Sequence, residues 1–134
     1  QILTMQLPRA GERDPLPSET HPEDGPWLTV HVWSDGAVEV DGEAVETSKQ
    51  ITEAVQRHVR SHPEGAIEFA SARSTRYEDY TRAIEAVKQG IQVEREVRSR
   101  RRYKRAFGDL KGEERAVIEE IVPTHIVLWN LPDG

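Results

Sequence analysis

The chain has 134 residues, enough for one domain with a modest core. With 36% hydrophobic and 31% charged residues it has a polar, foldable composition, and a net charge of -6 argues against a general nucleic-acid binder, which would be basic. Having no cysteine excludes disulfides, thiolate metal sites and a cysteine nucleophile; no apolar run approaches the roughly 18 residues that cross a bilayer.

The opening QILTMQL alternates weakly, with Ile2, Thr4 and Gln6 against Leu3, Met5 and Leu7, until Pro8 stops it. It reads either as a frayed tail or as an edge strand that pairs with its own sheet or a partner's. Residues 9–26 carry Pro15, Pro17, Pro22 and Pro26 with Gly11 and Gly25, and too few apolar side chains to offset the entropy of ordering, so they read as a linker. Residues 1–26 thus form a swappable edge strand and a Pro-rich linker, and residues 27–134 the folded domain.

That domain is organised around WLTVHVWSDGAVEVDG at 27–42. Leu28, Val30 and Val32 alternate with Thr29, His31 and Trp33, Asp35-Gly36 supplies a turn, and a second alternating run ends in Val40. This is a β-hairpin signature with Val38 and Val40 opposite the first run. Trp27 and Trp33 fall on the other face with His31, where they either mark a contact or are covered by later helices. Asp41-Gly42 makes a second turn, and Glu43, Ala44 and Val45 lead away from it.

Thr47 or Ser48 is suited to cap a helix running to about Ser61, whose apolar positions Ile51, Ala54, Val55, His58 and Val59 follow helical spacing. His58 and His62 lie four apart, but HVRSH lacks the glutamate of the zinc-protease pattern, so no metal site is expected. AIEFA at 66–70 is a short strand. Ser74 or Thr75 is then placed to cap a helix with Glu78 and Asp79 in its first turn and Tyr77, Tyr80, Ala83, Ile84 and Val87 along one face. Gly90 either ends this helix or is carried through at about 1 kcal/mol.

Arg95, Arg98, Arg100, Arg101, Arg102, Lys104 and Arg105 form a dense basic stretch interleaved with Tyr103 and Phe107. It reads as a contact for phosphate, anionic lipid or an acidic partner, or as a solvated helix face balanced by acidic residues. A short helix over 113–122 turns Val117, Ile118, Ile121 and Val122 inward, Pro123 ends it, and HIVLWNL at 125–131 is a nearly continuous apolar strand suited to a sheet interior. The order predicts an α+β fold, a two-layer sandwich. Hairpin, helix, strand, long helical region and final strand build a mixed sheet with helices on one face.

Several phrases, in this order, resemble the periplasmic domain of the ExbD/TolR family of proton-driven energy transducers. MQLPRAG at 5–11 resembles the segment after the family's membrane helix. WLTVHVWSDGAVEVDGEAV resembles its L-x-V-x-x-x-G-x-x-x-x-x-G stretch, with Gly36 on the first glycine and Gly42 near the second. In IEFASARSTRYEDYTRAIEAVKQGI, Tyr77 matches the tyrosine of V-P-Y-G and Gly90-Ile91 the close of the helix, and HIVLWN matches the final strand. The likeness covers about three quarters of the chain. Ala72 stands where the family usually has aspartate, Arg76 and Glu78 replace the proline and glycine beside the tyrosine, and 92–123 resembles a helical insertion.

The resemblance implies a non-enzymatic domain without cofactor, part of a proton-motive-force-driven stator subunit for outer-membrane transport or envelope integrity. It implies a single-pass protein of the bacterial inner membrane with this domain in the periplasm and its membrane helix ahead of Gln1. Expected partners are a second copy in a homodimer, a membrane ring subunit of the ExbB/TolQ kind, and a TonB-like transducer or peptidoglycan, but not nucleic acid. Leu3, Met5, Leu7 and Pro8 are the interface candidates by the edge-strand reading, with Trp27, Trp33, Tyr77 and Tyr80 beside them. Two alternatives stand: a nucleic-acid or anionic-surface binding module using residues 95–105, and a hydrolase holding a divalent metal with Glu68, Glu78 and Asp79.

Overall fold

The structure, a computed structural model, describes residues 26–131 and the backbone of residues 2–6. The hairpin forms as its pattern dictates. Strand β2 (Leu28–Val32) pairs antiparallel with β3 (Val38–Val40), placing Val30 against Val40 and Val32 against Val38. The turn is closed by the Gly36 amide donating to the Trp33 carbonyl at 2.9 Å, and Gly36 sits at φ 90, a conformation glycine adopts without penalty. The chain does not leave the sheet after Gly42, as the sequence suggested. Glu43–Val45 makes a third short strand, β4, antiparallel to β3.

Helix α1 (Ser48–Ser61) starts from Thr47, which forms a reciprocal capping box with Gln50, and buries Ile51, Val55 and Val59. Strand β5 (Ile67–Ala72) returns parallel to β2. Helix α2 (Tyr77–Tyr103) then runs 27 residues without a break. A single helical turn at Phe107–Asp109 and helix α3 (Gly112–Ile121) lead into β6 (His125–Leu131).

β6 is interior, parallel both to β5 and to β1 (Ile2–Gln6), and the six strands lie in the order β1-β6-β5-β2-β3-β4. The N-terminal segment therefore pairs with its own sheet. Leu3 and Met5 lie in β1, with Leu3 in register with Ile126 and Met5 with Leu128. Leu7, Pro8 and the linker up to residue 25 lie outside the described residues.

The helices pack on one face of this mixed sheet, where Val30, Val32, Val55, Ile67, Phe69, Val87, Ile91 and Ile126 make the main core. Truncating a side chain as buried as Phe69 costs about 3–5 kcal/mol in such a core. The opposite face carries a smaller cluster of Ala70, Val127, Trp129 and Leu131 with Trp27 against it, so the helices do not cover the tryptophan face.

Gly90 explains why the long helix is not interrupted. A Cβ there would stand 2.6 Å from the Val55 Cβ and 2.8 Å from the Thr52 carbonyl oxygen. The glycine lets α1 and α2 approach closely, and Thr52 Oγ1 donates to the Ala86 carbonyl at 2.8 Å across the same seam.

Candidate functional site

The carboxyl ends of the parallel strands open into a cleft of about 340 Å³, lined by Arg73, Thr75, Tyr77, Tyr80, Leu128 and Asn130. Ligands of open parallel sheets commonly occupy this end. The loop from β5 and the start of α2 build one wall. Thr75 is not the cap predicted from sequence; its amide donates to the Ala72 carbonyl at 3.1 Å, which ties it into the turn. Its hydroxyl donates to the Trp33 carbonyl at 3.5 Å. Helix α2 begins one residue later, with Arg76 at the N-cap and no side-chain cap bond.

Of the aromatic candidates, Tyr77 and Tyr80 are brought together here, one turn apart. Tyr77 is 82% exposed, a correction to its expected place on the buried face of the helix, because it starts the first turn, ahead of the point where α2 meets the sheet. Tyr80 meets Phe69 edge-on with ring centroids 5.4 Å apart, and burial raises the pKa of its hydroxyl. Trp33, 44% exposed, stacks on His31 at 4.1 Å at the same end of the sheet. Trp27 precedes the start of β2 and belongs to the cluster on the opposite face. The backbone of Met5 and Gln6 runs beside Leu128 and Trp129, so β1 borders the cleft.

The same first turn of α2 meets the hairpin through Asp79. Asp79 is buried, accepts from Arg76 Nε at 3.1 Å and Arg82 Nη1 at 3.4 Å, and lies where a Cβ on Gly36 would come within 2.8 Å of its carboxylate. Glu68 is buried on the opposite face of the sheet, where Thr29 Oγ1 donates to it at 2.9 Å, and Glu78 is exposed on the surface beside Arg76. The three carboxylates proposed as a metal site are not brought together, and among the described residues no group of three His, Cys, Asp or Glu could hold a metal ion. His58 and His62 are neighbours, 5.6 Å between rings. Burial and the nearby His62 lower the pKa of His58.

The basic stretch separates into different roles. Arg95 is buried: its Nε donates to the Val122 carbonyl and its Nη2 to Thr124 Oγ1, both at 2.9 Å, and its guanidinium stands 5.8 Å from the Phe107 ring centroid. Arg98 donates to the buried Glu94 at 2.8 Å, which also accepts from Arg60 at 3.2 Å and Gln56 at 3.3 Å. Burial alone would raise the Glu94 pKa, but these three donors together hold it below the ordinary carboxylate value. Arg100 pairs with Glu96 at 2.6 Å and Arg105 with Glu114. Arg101, Arg102 and Lys104 are exposed and make no ion pair among the described residues.

Sequence reasoning did not assign Glu94 to this network or Arg95 to the core. The signal was present: Val87, Ile91 and Arg95 are spaced by four, and so are Gly90 and Glu94, which continues the buried side of α2 into the charged stretch.

No protein-family model matches this chain, and no curated protein matches it in sequence.

Proposed function

We propose that the chain is a non-enzymatic docking domain of the ExbD/TolR kind. By this reading it is the periplasmic part of a subunit that draws on the proton motive force for outer-membrane transport or envelope integrity. The observation that carries the proposal is the placement of β1. Among the described residues, the strand nearest the expected membrane helix forms the outer edge of the sheet and is hydrogen-bonded on one side, to β6. It is separated from the hairpin by the proline-rich stretch 9–26. A tethered edge strand offers its free main-chain groups to a second copy or to an extended partner peptide. The adjoining cleft, with Tyr77 projecting from it, supplies a side-chain surface for the same partner.

The hydrolase reading has less behind it, because Glu68 and Asp79 point to opposite faces of the sheet. The test is photo-crosslinking in cells from positions 77 and 33 of the whole natural protein, with and without a protonophore. An adduct with an envelope protein or peptidoglycan whose yield changes when the gradient collapses supports the proposal. An adduct indifferent to the gradient, or none from either position, contradicts it.

A further inference from the structure

Helix α2 outruns the sheet. Arg95, hydrogen-bonded to Val122 and Thr124, marks the level at which β6 begins at His125. Eight more helical residues follow to Tyr103, about 12 Å at 1.5 Å per residue. Helix α1 has ended at Ser61, and Arg98 reaches back to the Arg60 carbonyl near that point. The last turns of α2 are supported instead by Phe107, Leu110 and Ile118, with Tyr103 packed against them.

The far end of the overhang is charged and one-signed. Residues 98–105 hold six cations and no carboxylate, in a chain whose net charge is -6. Glu94, Glu96 and Glu114 engage Arg98, Arg100 and Arg105. The helix end accounts for part of what remains, since Lys104, at φ 59 in the C-cap, donates through Nζ to the Arg101 carbonyl at 3.2 Å. Arg102 and Arg105 lie over Tyr103 at 5.7 and 6.0 Å. Beyond the helix C-terminus, which favours cations, and the Tyr103 ring under Arg102, Arg101 and Arg102 have no ion-pair partner among the described residues.

The position of this tip gives the charge a direction. β1 runs parallel to β6 with Ile2 beside His125, so the chain enters β1 at the same end of the sheet at which α2 overhangs. We infer that the tip at Arg101, Arg102 and Lys104 docks on the anionic headgroups of the bilayer from which the chain emerges. The inference rests on the membrane-anchored reading above for the identity of that surface. The acidic remainder of the domain is repelled by the same headgroups. An orientation with the tip down is attractive, and it turns the tyrosine cleft at the opposite end of the strands away from the membrane.

The test is flotation of the 134-residue chain with vesicles of phosphatidylcholine and of mixed phosphatidylcholine and phosphatidylglycerol. Binding is expected to the mixed vesicles alone and to vanish at high salt. Replacing Arg101→Gln, Arg102→Gln and Lys104→Gln together is expected to lower the partition constant about 100-fold. An unchanged circular dichroism spectrum of the variant assigns that loss to the tip. Equal binding to neutral vesicles, no binding to either, or undiminished binding by the variant overturns the inference. So does tighter binding of the tip to duplex DNA or to an acidic protein in direct competition. The assay needs no anchor, so its failure is distinguishable from failure of the anchored reading. Vesicle binding by a protein whose natural chain has no membrane segment would keep the charged tip and remove the proposed function.

Discussion

Residues 77–95 and 96–103 are one helix with two surroundings, and the difference shows how little residue type alone decides a role. In the first part, a small residue and a buried carboxylate seat the helix: Gly90 lies against Val55 and Thr52, and Glu94 takes three donors from α1 and α2. In the second part, the helix runs past the end of α1; Arg98 still reaches Glu94 and the Arg60 carbonyl, while Arg100, Arg101 and Arg102 meet water. Arg95 and Arg101 are six residues apart. One is a buried strut holding the chain before β6, and the other is an exposed charge with no ion-pair partner among the described residues.

The contrast can be broken by measurement. Glu94→Ala should lower stability most, by about 3 kcal/mol in urea denaturation, because it leaves Arg98 and Gln56 without their acceptor beneath the surface. Arg95→Ala should cost about 2 kcal/mol through the unpaired Val122 carbonyl and lost packing on Phe107. Arg101→Ala should change stability by less than about 0.5 kcal/mol. Equal costs for the two arginines would erase the distinction between the halves. Gly90→Ala gains about 1 kcal/mol of helix propensity but forces the seam apart. A net loss of about 1–2 kcal/mol is expected, and a more stable variant would show that the close approach is dispensable.

A pH series sharpens the same point. The Glu94 pKa is depressed in the folded state, so its contribution is present above the ordinary value of 4.5 and is lost as pH falls through the folded value. The His58 pKa is also lowered, so the unfolded chain binds the extra proton first and stability declines as pH drops below about 6.5. Glu94→Gln should flatten the acid limb and leave the limb near neutrality, while His58→Gln should do the reverse. The smallest effect belongs to Tyr77→Ala. It should leave stability within about 0.5 kcal/mol, since the side chain is 82% exposed, while abolishing any partner adduct that depends on the cleft.

Where one physical signal dominated, the elements were legible in the sequence. The last strand was bounded by Pro123 and its own apolar run, and α1 by a cap at Thr47 or Ser48 and helical spacing. β4 was missed because three residues, two of them exposed, carry no alternation to read. The start of α2 was misplaced because Thr75 has the chemistry of a cap but is already engaged in the turn from β5. Gly90 was ambiguous because its meaning lies in Val55, thirty-five residues away, and spacing within a helix does not report what the helix leans on. The cleft combines Tyr77 and Tyr80, which were named, with Leu128 and Asn130, which only the sheet order brings beside them.

The most direct test of the account is to determine what the natural gene encodes ahead of Gln1 and where its product fractionates. The account predicts a segment of about 20 apolar residues containing one aspartate, and recovery of the protein with the inner membrane. A natural chain that begins near Gln1 and fractionates with soluble protein would contradict it.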